Sequence, residues 1–196
     1  MVDCIYLDVD GVLVNWVKGA ASLFGKTEAD VYANWEPQNF DVAPPLGITE
    51  DELWEKIDAA GMDWWADLEL MPWAKDLYQE CLSLAPVYFL TSPSYHWSSA
   101  AGKLVWFQKF TGNKHFRNYL IGPPKERCSL EGSVLIDDAD RNISAFTKKK
   151  GQGVLVPRYW NSLYAQRDDP MAYVIPRLRG LAGNMTLDCL LSNAGL

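Results

Sequence analysis

Asp8 and Asp10 stand two residues apart at the end of an apolar run, Ile5-Tyr6-Leu7, and Gly11 follows at once. A strand buried on both faces has no use for two carboxylates, but the end of a strand does. Where the chain turns outward at Gly11, the pair forms an anionic cup that suits a divalent cation and leaves one oxygen free to attack. Two further clusters repeat the arrangement. Val87-Tyr88-Phe89-Leu90 runs into Thr91-Ser92, and Ser133-Val134-Leu135-Ile136 runs into Asp137-Asp138. Carboxylates, hydroxyls and a lysine together suit phosphoryl transfer. A hard cation such as Mg²⁺ takes oxygen ligands and keeps several waters. Asp8 and Asp138 offer it carboxylate oxygens, Asp10 and Asp137 lie beside them, and the Asp10 carbonyl offers one more. Thr91 and Ser92 offer a hydroxyl and backbone N–H to phosphate oxygens. Lys103 and Lys125 are both candidates for the neutralising lysine, and the residues alone leave that choice open.

The three clusters can converge only if their strands are parallel and adjacent. The pattern along the chain predicts a strand over 2–7, a helix over 16–24 and a loop rich in Asn, Pro and Asp over 34–47. The run Thr49-Glu50-Asp51-Glu52 is a capping box that opens a helix to about Ala60, with Gly61 ending it. Pro72 opens the next helix, to Leu84. Strands are predicted over 87–90, 118–122, 133–136 and 154–156. Helices are predicted over 98–110, 139–150 and 170–181, with another near the C-terminus. Strands alternating with helices mean an α/β fold with a parallel sheet, and in such sheets ligands sit at the carboxyl ends of the strands.

A chain of 196 residues, 48% of them apolar, has room for one domain with an insertion. The net charge of -7 argues against duplex nucleic acid, which needs a cationic face. No apolar run reaches membrane-spanning length. Cys4, Cys81, Cys128 and Cys189 are scattered, with no Cys-x-x-Cys pair, as expected of reduced thiols in the cytoplasm. His96 and His115 are the only histidines, too few for a His-rich metal centre. Six of the nine tryptophans fall in the first 75 residues: Trp16, Trp35, Trp54, Trp64, Trp65 and Trp73. Most are expected in the core. Trp16, next to the first acidic pair, and Trp35, in a polar loop where a large exposed aromatic would be a contact surface, are candidates for substrate contact.

The combination resembles the haloacid dehalogenase superfamily. Asp8-Val9-Asp10-Gly11-Val12 is similar to its first motif, Thr91 or Ser92 to its second, Lys103 or Lys125 to its third and Asp137-Asp138 to its fourth. The resemblance implies a Rossmannoid parallel sheet flanked by helices, with a small helical cap inserted after the first strand. It implies that Asp8 is the nucleophile and forms an aspartyl-phosphate. Asp10 would then protonate the leaving group and activate water. A narrower resemblance is to the 5′(3′)-deoxyribonucleotidases. Leu90-Thr91-Ser92-Pro93, Gly102-Lys103-Leu104-Val105-Trp106-Phe107 and the stretch from Trp64 to Pro72 carry it. It implies an Mg²⁺-dependent phosphatase acting on nucleoside 5′-monophosphates, with residues 16–75 as the cap and 1–15 with 76–196 as the core. The alternative is another small phosphate ester, such as a sugar phosphate, or a nucleic-acid phosphate terminus. A catalytically silent binding module is disfavoured because both Asp8 and Asp10 are present. The expected partner is a small-molecule nucleotide, with no duplex nucleic acid and no membrane. A homodimer is compatible with the sequence.

Overall fold

The structure is a computed structural model that describes the backbone of residues 2–193 and the side chains of residues 2–183. Its sheet has five parallel strands: β1 (Cys4–Leu7), β2 (Val87–Thr91), β3 (Tyr119–Ile121), β4 (Ser133–Asp137) and β5 (Gln152–Leu155). Their spatial order is β3-β2-β1-β4-β5. The first strand is therefore central, with Ile5 opposite both Val87 and Val134. That register brings the ends of β1, β2 and β4 to one edge, which is what the three polar clusters required.

Alternation along the strands divides the core between the two faces. Ile5, Leu7, Phe89, Val134 and Ile136 join the larger core. On it, Phe89 meets Tyr78 of α5 (Ala74–Leu84) and Trp106, Phe107 and Phe110 of α6 (Trp97–Thr111). The opposite face is smaller. Leu90 and Leu135 pack there with Phe146 of α7 (Asp140–Thr147), and Tyr6, Cys128 and Ile143 complete the cluster. Helix α8 (Pro170–Asn193) is one element with Pro176 inside it, where two separate helices were expected. The Cys189 side chain lies outside the described residues.

Between β1 and α5 the chain makes α1 (Trp16–Leu23), α2 (Glu28–Ala33), α3 (Ala43–Leu46) and α4 (Glu50–Ala66). The Thr49 capping box forms as expected. Gly61, at φ 74° and ψ -162°, leaves the helical conformation, so the first helical stretch of α4 ends there as expected and a second stretch continues across the kink to Ala66. The sequence pattern does not predict α2, a six-residue helix with Val31 as its one buried residue, although Thr27 and Asp30 form a capping box there. Pro72 precedes its helix by two residues. Lys148, Lys149 and Lys150 lie beyond the last helical residue of α7, not inside it.

The two linkers of this helical insertion pair with each other. Asn15 N donates to Glu69 O at 2.7 Å and Met71 N to Leu13 O at 2.8 Å. The insertion also packs on α6 through Gly102, where an added Cβ would overlap the Trp65 Cβ and the Met62 carbonyl oxygen of α4. Backbone atoms cannot move aside cheaply, so Gly102→Ala should lower stability by about 1–3 kcal/mol. A thermal or urea melt reads this directly, and an unchanged midpoint would mean that α4 and α6 do not approach so closely.

Candidate active site

Asp8 follows β1 and is buried at 6% exposure. Beside it, Lys125 enters from a 3-10 turn, Lys125–Cys128, that precedes β4. The Lys125 Nζ lies 2.8 Å from Asp8 Oδ1 and 2.6 Å from Asp137 Oδ2. It is 3% exposed, so one ammonium bridges two buried carboxylates. Asp137 is also held by three further hydrogen bonds. Its Oδ1 accepts from Ala139 N at 2.9 Å, and both of its oxygens accept from Asn142 Nδ2. These bonds fix Asp137 as the post that holds Lys125 against Asp8. Asn142, in the first turn of α7, thereby orients the first aspartate of the pair.

Asp138 is held from the other side. Its Oδ2 accepts from Trp160 Nε1 at 2.9 Å. Asn161 Nδ2 donates to the Asp138 carbonyl and to Val156 O. Trp160 and Asn161 were not singled out from the sequence. The rule that ligands gather at strand ends reaches them too, because they follow β5. They carry no acidic signature to draw the eye. Asp140 does not face the acidic pair: it accepts from the Ser162 backbone and hydroxyl.

Asp8, Asp137 and Asp138 place carboxylate oxygens within 4.8 Å of one another. Gly11 makes this possible. It takes φ 74°, and a Cβ there would overlap Asp138 Oδ2. Burial pushes the Asp8 carboxyl up to about 6, opposed by Lys125 and helped by the charges of Asp137 and Asp10. Burial likewise holds Asp138 well above its ordinary range, with Asp137 and Asp8 adding to it and Lys125 and Arg158 opposing. Burial would lower Lys125, but the carboxylates of Asp8 and Asp137 outweigh it and keep the ammonium charged. Three buried carboxylates against one ammonium leave a deficit of positive charge. Oxygen donors with that deficit fit a hard divalent cation.

Asp10 sits at the rim, its side chain 29% exposed, and its Oδ2 is ion-paired with Lys103 Nζ. Its Oδ1 has no partner. Lys103 is buried on α6, with its ammonium 5.0 Å from the centre of the Trp65 ring. The two candidate lysines are thus separated by role: Lys125 serves the buried aspartates and Lys103 serves Asp10. Thr91 ends β2 fully buried, and its hydroxyl has no hydrogen-bond partner. A buried hydroxyl without a partner is costly unless a ligand meets it. Ser92, partly buried, follows it.

Trp16 is partly buried, 6.1 Å from Trp54 and 6.3 Å from Trp64 between ring centres. The expectation that Trp35 is an exposed contact surface is corrected. It is 7% exposed, donates from Nε1 to Asn39 O and packs 5.4 Å from Trp160. Loop composition misled here because the loop folds its tryptophan inward onto the ring that holds Asp138.

The metal reading has a consequence in solution. A carboxyl raised from 3.8 to about 6 makes the folded protein bind protons more tightly than the unfolded chain does. Its contribution to stability therefore grows as pH falls from above 6 towards 4, in metal-free protein. A divalent cation removes the same penalty at neutral pH by pairing the ionised form. The melting temperature should rise on adding Mg²⁺ at pH 7.5 and rise less at pH 5. Equal shifts at the two pH values would place the cation elsewhere.

Among the described residues no helix is long and apolar enough to cross a membrane, and Cys4, Cys81 and Cys128 are free thiols. A family model described as 5′ nucleotidase, deoxy (Pyrimidine), cytosolic type C protein matches residues 1–166. No curated protein sequence matches the chain. The crystal structure of a hydrolase from Streptococcus pneumoniae TIGR4 is similar in fold. Its TM-score is 0.54 at 14% identity, over 85% of this chain and 97% of that one. A phosphonoacetaldehyde hydrolase-like protein from Oleispira antarctica has a TM-score of 0.46 at 16% identity, over 99% and 86% of the two chains. A haloacid dehalogenase family enzyme from Bacteroides thetaiotaomicron, in complex with magnesium and inorganic phosphate, has 0.41 at 14% identity, over 81% and 95%.

Proposed function

We infer the substrate from one premise: the chain belongs to the 5′ nucleotidase, deoxy (Pyrimidine), cytosolic type C family. It is a phosphoric monoester hydrolase with the α/β fold expected of the haloacid dehalogenase superfamily. The proposed substrates are nucleoside 5′-monophosphates, deoxyribonucleotides foremost, and the proposed cofactor is Mg²⁺. The observation that carries the reading is that a buried carboxylate, Asp8, and an unpartnered buried hydroxyl, Thr91, stand at the carboxyl ends of adjacent parallel strands.

In this reading Asp8 attacks the phosphorus and forms an acyl phosphate. Lys125, fixed by Asp137, keeps the Asp8 oxygen aimed and ionised. Thr91, Ser92 and Lys103 hold the phosphate oxygens, where positioned donors stabilise developing charge. Asp10 gives a proton from its rim position to the leaving oxygen, then takes one from water. Asp8 and Asp138 would hold the cation, with Asp137 and the Asp10 carbonyl beside them, and the cation would screen the charge of the phosphate. Residues 16–75 act as the cap that excludes water, over a core of residues 1–15 and 76–196. Trp16, beside Trp54 and Trp64, is proposed to meet the base. Trp35 is proposed to act through Trp160.

The test is phosphate release from ribo- and deoxyribonucleoside 5′- and 3′-monophosphates, a sugar phosphate and a phosphorylated oligonucleotide end, with Mg²⁺. Fast release from one or more of the 5′-mononucleotides is expected, and the ranking names base and sugar. Release confined to the sugar phosphate or the oligonucleotide end would replace the nucleotide reading with that alternative.

A further inference from the structure

A cavity of about 210 Å³ lies where the insertion meets the sheet layer. Its walls come from four places. Asn15 and Trp73 belong to the two linkers, Glu28 and Tyr32 to α2, and Arg158 and Tyr159 to the loop after β5. It shares no residue with the acidic site. Trp160 stands between the two, with its Nε1 on Asp138 and its ring 4.7 Å from the Arg158 guanidinium.

Arg158 is the member that demands an explanation. It is 6% exposed. No ion pair among the described residues includes it. Its Nη2 donates to the Tyr32 hydroxyl at 3.1 Å, and its Nε is buried with no hydrogen-bond partner. The nearest counter-charge on the cavity wall, Glu28, bonds to that same Tyr32 hydroxyl and to Asn15 Nδ2. It forms no ion pair with Arg158, and the other carboxylate that feels the Arg158 charge, Asp138, is not ion-paired with it either. Trp73 and Trp160 offer ring faces to the guanidinium. Such contacts offset part of the burial of a charge, and a buried charge is otherwise found paired. Arg167, also on the cavity wall, lies over the rings of Tyr159 and Tyr164, donates from Nη1 to the Tyr164 carbonyl and pairs at 3.8 Å with Asp168, although its Nε, like that of Arg158, makes no hydrogen bond.

We propose that this cavity is an oxyanion-binding site, with Arg158 as the principal partner of the ligand. A small oxyanion fits the volume, and a guanidinium matches a phosphate or carboxylate edge better than any other side chain does. Inorganic phosphate and a small carboxylate share that chemistry. A ligand there touches both linkers, α2 and the β5 loop at once. It therefore ties the insertion to the sheet, and it draws on the residue that packs against Trp160 and, through it, Asp138. The site does not depend on which phosphate ester the enzyme hydrolyses.

Isothermal titration of the full chain with inorganic phosphate, and separately with malonate, tests this in EDTA, where the acidic site holds no cation. Saturable binding of one of them to the wild type is expected, and the tighter of the two identifies the source. Arg158→Gln should weaken it about tenfold or more, as loss of a charged hydrogen bond does. Glu28→Gln should tighten it, and Lys103→Met should leave it unchanged. Absence of binding to the wild type overturns the proposal. So does binding lost in Lys103→Met and kept in Arg158→Gln, which would put the anion in the catalytic site. If Arg158→Gln fails to fold, Glu28→Gln decides alone: tighter binding supports the site, and unchanged or weaker binding refutes it.

Discussion

Asp8→Asn should lower turnover by about 10⁴-fold or more while leaving the protein folded. The size follows from what is removed: a covalent nucleophile acts as one unit with its neighbours, and its loss forfeits the pathway, not a single contact. Stability should not suffer. Burial already pushes the Asp8 carboxyl up to about 6, so an uncharged isostere relieves a desolvation penalty. Lys125 keeps Asp137 as its partner at 2.6 Å. The metal-free variant should melt at or above the wild-type temperature, and it should gain less from Mg²⁺ because one oxygen ligand is gone. Steady-state phosphate release with a mononucleotide and a pair of melts, with and without Mg²⁺, measure both halves. Activity within tenfold of wild type would remove Asp8 from the role of nucleophile.

Lys125→Met is expected to be the most damaging change to stability in the site. The ammonium lies between Asp8 and Asp137 and is almost wholly buried. Deleting one member of a buried charge cluster leaves the others uncompensated, which costs about 3–5 kcal/mol. Two carboxylates are stranded here, so the upper part of that range applies. The sign can be checked by compensation. Mg²⁺ should recover part of the loss, and adding Asp137→Asn to Lys125→Met should recover more, since each supplies a charge or removes one. A Lys125→Met variant that unfolds at the wild-type denaturant midpoint would mean that the aspartates are protonated in the resting protein and that the bridge is weak.

The positions of the chemistry were legible because they follow from strand ends. Asp8, Thr91 and Asp137 each close an apolar run, and parallel pairing of β1 with β2 and β4 brings them together. The division of labour between Lys103 and Lys125 was not legible. Both are single lysines near a motif, and only the path of α6 and of the turn before β4 decides which aspartate each one meets. Trp160 and Asn161 were missed because β5 ends without acidic residues, although they fix Asp138. Trp35 was misread because a polar loop gives no sign of its own burial. Helix α2 was missed because a short helix with one buried residue has no periodicity to detect. What the sequence conveyed well was the end of each strand. What it conveyed poorly was anything set by side chains arriving from a distant element.

The account stands or falls on a phosphoryl group passing through Asp8. The direct measurement is an acid quench, on the millisecond scale, of wild-type enzyme mixed with Mg²⁺ and a radiolabelled nucleoside 5′-monophosphate that it hydrolyses. Peptide mapping then locates any covalent label. The account predicts an acid-stable, hydroxylamine-labile label on the peptide containing Asp8, forming before free phosphate and absent from Asp8→Asn. Phosphate release with no protein-bound label at any quench time, or a label that persists in Asp8→Asn, would contradict it.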